Sequence, residues 1–256
     1  MKTKRSSQKY YFIWFSFLIK TKSMNSPFTI IHTPTNQLEK SLDFYQKLNY
    51  KVFSESNPTL LTDGKFVIEI NPDRFARAGL KMFQSNWESE VSALKKLTEV
   101  TSIENGYMLG TPTGTRIYLM NEESNIDFTP SEMPLGMTGN FAGLSLETTD
   151  MGQSAAIWEV LGYEKTMGSI EKGWIAFSNK SGIDVSLMKP NSCPHLFFNP
   201  SLTFFNGKIN NPKIIQNIRN AGIPITEEIT VFNKEGIVDN VIIRDPGGYG
   251  FFIYND

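Results

Sequence analysis

Residues 44–50 read FYQKLNY, and residues 157–163 read IWEVLGY. In both stretches an apolar helical pattern meets a residue suited to a left-handed turn, Asn49 or Gly162, and then a Tyr. Asn and Gly adopt the left-handed conformation that ends a helix more readily than other residues do. Each stretch therefore predicts an amphipathic helix that ends, turns and enters a strand, and the chain contains this unit twice.

A longer repeat surrounds these stretches, because a strand, a helix and two or three further strands recur four times. In the first helix, Leu38, Leu42, Tyr45 and Leu48 have the spacing of one apolar face. The first copy has a strand at 28–33, a helix at 37–48, and strands at 50–54, 59–62 and 66–70; the second has a strand at 79–83, a helix at 87–98, and strands at 103–109 and 115–120. The third has a strand at 141–147, a helix at 151–161, and strands at 163–167, 173–178 and 185–188; the fourth has a strand at 201–206, a helix at 211–221, and strands at 229–232, 238–243 and 249–254.

A second motif closes each half of the repeat. Residues 111–115 read TPTGT and residues 245–249 read DPGGY, and each is a Pro-Gly turn that leads into a final strand. Between the halves, residues 123–139 contain Pro and Gly among acidic residues, which is typical of a linker.

The order and spacing of these motifs resemble the vicinal oxygen chelate superfamily, which includes glyoxalases, bleomycin resistance proteins and extradiol dioxygenases. The resemblance implies an α+β fold in which four βαβββ modules pair into two tandem domains with curved, open sheets. It implies domains at 25–122 and 140–256, joined by the linker 123–139. An unrelated ferredoxin-like α+β repeat is the alternative interpretation.

The resemblance also implies where a metal would bind in the first domain. Metal-dependent members have a His in the first strand, a Glu in the fourth, a His or Glu in the fifth and a Glu in the last. Here the first position falls on Ile30, with His32 two residues later on the same strand face. Glu69 fills the fourth-strand position, the fifth strand offers neither His nor Glu, and Tyr118 stands in the last.

The second domain fills these positions with Gly143, Ser186, Ser201 and Phe252, none of which is a suitable ligand. We therefore expect no cofactor. A divalent metal held by His32 and Glu69 is the alternative.

Each domain should still form a cleft lined by aromatic and polar side chains, as small-molecule sites usually are. Two of the candidates below also have a purely structural interpretation. His32 would then be a buried strand residue that is hydrogen-bonded to a neighbour, and Trp174 would be a core residue. The candidate ligand-binding residues are His32, Glu69, Arg116 and Tyr118 in the first domain, and Ser145, Glu147, Trp174 and Phe252 in the second.

Charge and cysteine content limit the partners and the compartment. The formal net charge of −1 divides into +6 on residues 1–24 and −7 on the rest, so the body of the protein lacks the basic surface that nucleic acid requires. A single cysteine, Cys193, cannot form an internal disulfide and fits a reducing compartment. We expect a cytoplasmic protein whose partner is a small molecule, and a homodimer is a further option.

Residues 1–24 form a basic and aromatic extension that we do not expect to fold. Its apolar stretch YYFIWFSFLI, at 10–19, is shorter than the about 20 residues that a membrane-spanning helix needs, so we expect no stable membrane span. One interpretation is that translation normally begins at Met24. The others are a segment that directs the chain to a membrane or to export, and a structural part of the fold.

The leading hypothesis is a glyoxalase- or bleomycin-resistance-like protein that binds a small molecule in a metal-poor cleft. A metal-dependent glyoxalase- or dioxygenase-like enzyme with its site in the first domain is the alternative. A third hypothesis is a structural role with both clefts filled by side chains. Whether the chain is an enzyme is left open by the residues.

Overall fold

The computed structural model describes residues 27–255, so the extension at residues 1–24 lies outside the described part. The first half contains, in chain order, β1 (Phe28–Pro34), α1 (Leu38–Lys47), β2 (Lys51–Ser54), β3 (Thr59–Thr62), β4 (Val67–Asn71), β5 (Gly79–Gln84), α2 (Glu88–Leu94), β6 (Val100–Ile103), β7 (Gly106–Gly110) and β8 (Arg116–Asn121). The second half contains β9 (Phe141–Glu147), α3 (Met151–Val160), β10 (Glu164–Ser169), β11 (Trp174–Ser178), β12 (Val185–Met188), β13 (Ser201–Phe205), α4 (Gly207–Asn220), β14 (Ile225–Ile229), β15 (Asn240–Arg244) and β16 (Gly250–Tyr254).

Each half forms one eight-stranded sheet from two modules. The first sheet has the order β2-β3-β4-β1-β5-β8-β7-β6, and the second has the equivalent order β10-β11-β12-β9-β13-β16-β15-β14. In both, the first strands of the two modules pair antiparallel at the centre, and the first and last strands of each module pair parallel. The predicted fold class, four βαβββ modules in two open sheets, is confirmed.

The predicted helix ends are present, and two predicted strands differ. Asn49 and Gly162 have φ angles of 62° and 82°, in the left-handed region. The single strand predicted at 103–109 is instead the hairpin of β6 and β7, because Asn105, with φ 58°, turns the chain between them. The strand predicted at 229–232 is β14 at Ile225–Ile229, and the apolar pair after it lies in an exposed turn.

One continuous apolar core joins the two halves. It takes the residues that face the helices from both sheets, for example Ile31 and Ile117 from the first and Leu144 and Ile243 from the second. Because side chains alternate along a strand, the intervening residues of each sheet point to the opposite face, which we call the cleft face. The core therefore leaves two cleft faces, one for each sheet.

Asp245, from the turn before β16, bonds the second half to the first. Its Oδ2 accepts hydrogen bonds from Thr33 Oγ1 at 2.7 Å and from Tyr45 Oη at 2.8 Å, and its Oδ1 accepts one from the Tyr249 backbone N–H at 2.7 Å. Tyr249 Oη in turn donates to the backbone carbonyl of Gly79. The turn of the second half thus supports β1 and β5, the two central strands of the first sheet.

The predicted linker covers part of the first cleft face. Ile126 and Phe128 pack against Ile30, Leu60 and Val67, which are buried. The linker therefore acts as a lining of this sheet, and Ile30, at the predicted metal-ligand position, lies under it. The exact limits of the two domains stay a prediction.

Asp63, in the turn between β3 and β4, anchors this lining. Its backbone carbonyl accepts hydrogen bonds from the N–H groups of Leu135 and Gly136 at 2.6 and 3.3 Å, and its Oδ1 accepts from those of Lys65 and Phe66 at 2.8 and 3.3 Å. Burial raises the pKa of Asp63 from 3.8 to about 6, although the two backbone hydrogen bonds to the carboxylate act to lower it.

A titration of stability should detect this buried carboxyl. Since the folded-state pKa lies above the unfolded one, the contribution of Asp63 is present below about pH 4 and is lost as the pH rises through about 6. Relative to Asp63→Asn, the free energy of unfolding of the wild type should fall by roughly 2 kcal/mol between about pH 4 and about pH 7. Urea denaturation of both proteins across this range measures the difference, and parallel curves would contradict it.

Within residues 27–255, none of the helices combines the length and apolar character needed to cross a membrane. The cytoplasmic location and the homodimer stay predictions.

Candidate functional site

Four central strands of the first sheet place on the cleft face the polar side chains that form the centre of the site. They are His32 on β1, Glu69 on β4, Lys81 on β5 and Tyr118 on β8. In the strand register His32 lies beside Glu69, and Lys81 lies beside Tyr118. The fold therefore gathers at one place residues that are up to one module apart in the sequence.

His32 is almost fully buried, with 2% of its surface exposed. Its Nδ1 lies 2.8 Å from Glu69 Oε1, and because a carboxylate only accepts hydrogen bonds, Nδ1 is the donor. Its Nε2 is buried and has no hydrogen-bond partner among the described residues. The imidazole also contacts the ring of Tyr118, with 4.7 Å between the centroids. The Glu69 hydrogen bond and the contact with Tyr118 thus hold the imidazole in place, and Nε2 is left without a hydrogen-bond partner among the described residues.

Glu69 accepts hydrogen bonds from three side chains, those of His32, Lys81 and Asn71. Lys81 Nζ lies 2.7 Å from both carboxylate oxygens of Glu69, and Asn71 Nδ2 donates to Oε1 at 3.3 Å. Burial acts to raise the pKa of Glu69, but the His32 hydrogen bond and the charge of Lys81 outweigh it, so the pKa is lowered. Glu69 is therefore a carboxylate at neutral pH, and its charge is balanced by Lys81.

A cavity of about 520 Å³ opens beside these side chains. Its walls combine apolar side chains from β6, β7 and β8 with polar ones from the strands and from the loop between β4 and β5. The lining residues are His32, Asn71, Asp73, Phe75, Ala76, Arg77, Lys81, Ile103, Met108, Arg116, Tyr118 and Met120.

Two arginines reach this cavity and differ in their partners. Arg77 Nη1 donates to the backbone carbonyls of Arg74 and Ala76 at 3.3 and 2.8 Å, so its guanidinium is engaged. The Arg77 backbone N–H donates to Tyr118 Oη at 3.1 Å. The guanidinium of Arg116 makes no hydrogen bond or ion pair with any residue of the range 27–255.

Of the predicted first-domain residues, the structure brings His32, Glu69, Arg116 and Tyr118 together, and their role in binding stays a prediction. The interpretation of the sequence missed Lys81. The fifth-strand metal position calls for His or Glu, so Lys81 was not among the candidates. A Lys that alternates with apolar residues in a central strand nevertheless indicates a buried partner of opposite charge.

On the second sheet, the equivalent region is covered by side chains. Phe252 is buried beneath Phe197 and His195, with ring centroids 5.0 and 5.4 Å away. Ser145 Oγ lies 2.7 Å from Thr203 Oγ1, so these two hydroxyls satisfy each other.

Glu147 and Trp174 lie apart from this cluster. Glu147 Oε1 accepts a hydrogen bond from the Asn191 backbone N–H at 3.0 Å, which ties the end of β9 to the loop between β12 and β13. Trp174 is 41% exposed on β11, so its alternative interpretation as a core residue is wrong. β11 is the second strand from the edge of the sheet, and the Trp174 side chain is partly open to solvent there.

In comparisons with known proteins, no family model and no curated protein matches the sequence. A homoprotocatechuate 2,3-dioxygenase variant from Brevibacterium fuscum superposes with a TM-score of 0.57 at 15% identity, covering 90% of this chain and 72% of that one. The 2,3-dioxygenase LapB of a Pseudomonas species superposes with a TM-score of 0.55 at 12% identity, covering 88% and 91%.

The fold is that of the vicinal oxygen chelate proteins. Homoprotocatechuate 2,3-dioxygenase from Arthrobacter globiformis shares it as well, with a TM-score of 0.53 at 14% identity over 87% of this chain and 78% of that one. At these identities the likeness establishes the vicinal oxygen chelate fold alone.

The expectation that no cofactor is needed is wrong in the light of these neighbours. The three neighbours named above are extradiol dioxygenases, which are Fe(II)-dependent enzymes. That expectation rested on the number of missing ligand residues, and a metal-dependent dioxygenase-like enzyme was kept only as the alternative.

The donor set at the first cleft can be tested against iron(II), which non-haem oxygenases hold with two His and one carboxylate. His32 has one open ring nitrogen, but both oxygens of Glu69 are bonded to the ammonium of Lys81. Within residues 27–255, no group of three or more His, Cys, Asp and Glu side chains could hold a metal ion. These residues do not fit iron(II).

Proposed function

We propose that the protein binds a small organic molecule in the cavity of the first domain. The observation that carries the proposal is the cavity of about 520 Å³ lined in part by His32, whose buried Nε2 has no hydrogen-bond partner among the described residues. A buried polar atom without a partner costs free energy, which a ligand that bonds to it would recover. Small-molecule sites have volumes of roughly 300–1,000 Å³, and this cavity lies within that range.

The walls of the cavity support the same conclusion. Met108 and Met120 supply flexible apolar surface, while Arg116 and His32 supply polar groups that can fix the orientation of a ligand. The glyoxalase and bleomycin-resistance branches gain no specific support from the fold neighbours, so the proposal is binding in general.

A dioxygenase-like enzyme is the second candidate, favoured by the likeness to extradiol dioxygenases. It would need iron(II) at residues whose donor set does not fit that ion. The two candidates can be separated by adding Fe(II) without oxygen and measuring bound metal. Stoichiometric iron that is lost in Glu69→Gln would favour the enzyme.

The binding proposal predicts that filling the cavity abolishes ligand-induced stabilisation. Met108→Trp places a large ring among the lining residues, and Met167→Trp makes the same change at a position that is 61% exposed on β10. A ligand at about 100 times its Kd stabilises a protein by about 2.7 kcal/mol, which raises Tm by roughly 5 °C or more at this chain length. Thermal unfolding with a panel of organic acids, amides and alcohols measures the shift.

We expect compounds that raise the Tm of the wild type to raise the Tm of Met167→Trp equally. The same compounds should leave the Tm of Met108→Trp unchanged. Circular dichroism of the two ligand-free variants checks that both are folded. Equal shifts in all three proteins would place binding elsewhere and contradict the proposal.

A further inference from the structure

We propose that this cavity selects an organic carboxylate, with Arg116 receiving the carboxylate oxygens and the apolar body lying against the methionines. The inference rests on the proposed function and names its ligand class. It is carried by the charge balance of the cavity, by the space made for Arg116 and by the composition of the walls.

The ionised side chains that line the cavity, taken together with Glu69, sum to one positive charge, because the charges of Arg77 and Asp73 cancel in the sum and Lys81 pairs with Glu69. Lys81 is neutralised by Glu69, and the guanidinium of Arg77 is bonded to backbone carbonyls. Asp73 uses its Oδ1 to accept the Phe75 backbone N–H at 2.6 Å. Among the cations that line the cavity, Arg116 is the one without an acceptor in the part of the chain that the structure describes.

The local backbone makes room for this guanidinium. Arg116 pairs with Gly110 on one side and with Gly79 on the other. A Cβ atom added to Gly110 would lie 2.5 Å from Arg116 Nη1, so any side chain at that position would displace the guanidinium. Glycine next to Arg116 therefore keeps the guanidinium at the cavity, on the same strand face as Tyr118.

The chemistry of the site favours a carboxylate over other anions. A guanidinium presents a planar fork of donors that matches the two oxygens of a carboxylate. One uncompensated cation balances one negative charge, whereas a phosphate monoester carries nearly two at neutral pH. The walls formed by Ile103, Met108 and Met120 are apolar, so they suit an organic body more than a bare inorganic ion.

The open Nε2 of His32 gives the ligand a second point of attachment. This nitrogen is buried, and the ring of His32, which lines the cavity, is held by a hydrogen bond to Glu69 and by contact with Tyr118. A carboxylate with a hydroxyl, carbonyl or amine on its apolar body could satisfy both groups at once. The two contacts would fix the direction in which the ligand lies.

The test compares acids with their uncharged amides. Binding of benzoate and benzamide, and of hexanoate and hexanamide, is measured by isothermal titration calorimetry and ligand-observed NMR. We expect each acid to bind at least about 10-fold more tightly than its amide, because charge-assisted hydrogen bonds are roughly twice as strong as neutral ones. In Arg116→Gln the acid should bind no more tightly than the amide, whose own affinity should change by less than about 2-fold.

Arg219→Gln is the matched control, because Arg219 pairs with Glu228 on the surface of the second half. It should keep the wild-type preference for acids. Equal affinity of acid and amide in the wild type, or a preference that survives Arg116→Gln, would overturn the carboxylate assignment. If Met108→Trp still prevents both the acid and the amide from binding when the carboxylate assignment has failed, the proposed function stands without that assignment.

Two other outcomes separate the carboxylate assignment from the proposed function. Binding of the acids that is unchanged by Met108→Trp would overturn both proposals, because the ligand would lie outside the cavity. Failure of both acids to bind at millimolar concentration would overturn the carboxylate assignment, while other compounds of the panel that stabilise the protein through the cavity would keep the proposed function.

Discussion

Replacing Lys81 by Met is expected to lower the free energy of unfolding by roughly 3 kcal/mol at neutral pH, because it leaves a buried carboxylate without its countercharge. Glu69 is 5% exposed and Lys81 15% exposed, so water can replace little of the lost ion pair. His32 would still donate one hydrogen bond to Glu69, which limits the loss.

The effect should depend on pH in a defined direction. In the wild type, the pKa of Glu69 is lowered below 4.5, so its stabilising contribution is present above that pH and is lost as the pH falls through the folded-state pKa. Without Lys81, the pKa of Glu69 rises, and the carboxyl takes up a proton at a higher pH. The difference between Lys81→Met and the wild type should therefore shrink as the pH is lowered from about 7 to about 4.

Urea denaturation at several pH values measures this difference. Lys47→Met is the control, because Lys47 and its partner Asp43 are 45% and 62% exposed, and exposed pairs contribute less than about 1 kcal/mol. Adding Glu69→Gln to Lys81→Met removes the stranded charge and should restore part of the stability. A Lys81→Met protein as stable as the wild type at neutral pH would show that the pair contributes nothing.

Replacing Asp245 by Ala is expected to lower the free energy of unfolding by roughly 4 kcal/mol, since it strands several buried donors at once. Thr33 Oγ1, Tyr45 Oη and the Tyr249 backbone N–H all donate to this carboxylate. Burial raises the pKa of Asp245, and the hydrogen bonds from Thr33 and Tyr45 act against the rise.

The same substitution should weaken ligand binding, because Thr33 adjoins His32 on β1. Denaturation and the calorimetric titrations of the acids measure the two effects. Asp43→Ala is the control for losing an exposed carboxylate, and it should change stability by less than about 1 kcal/mol. Asp245→Asn keeps the shape of the side chain and should recover part of the loss. An Asp245→Ala protein within about 1 kcal/mol of the wild type would mean that the turn does not hold the halves together.

The repeat could be predicted because its signals are local. The apolar spacing of α1 and the left-handed residues Asn49 and Gly162 lie within a few residues of the helix that they define. The hairpin at β6 and β7 was not predicted, although the Asn105-Gly106 pair at its turn is a local signal for a hairpin. A single left-handed residue was enough to change one strand into two.

The candidate site was only partly predictable. Glu69 and Tyr118 were assigned through the strand positions that the resemblance implies. Alternation along a strand then added His32, two residues after Ile30, and Arg116, two residues before Tyr118. Lys81 was missed because its importance lies in the contact with Glu69, which belongs to another module.

The sequence by itself determined the four modules, and the resemblance to the vicinal oxygen chelate superfamily implied their pairing into two halves. The modules follow from helix and strand periodicity and from turn residues, which act over a few neighbours. The tertiary structure alone decided what each cleft contains. Ile126 and Phe128 cover one part of the first cleft face and leave a cavity beside His32, while Phe197 and His195 cover Phe252 on the second sheet. Such packing depends on segments distant in the chain whose side chains compete for the same apolar surface, and no local pattern records the outcome.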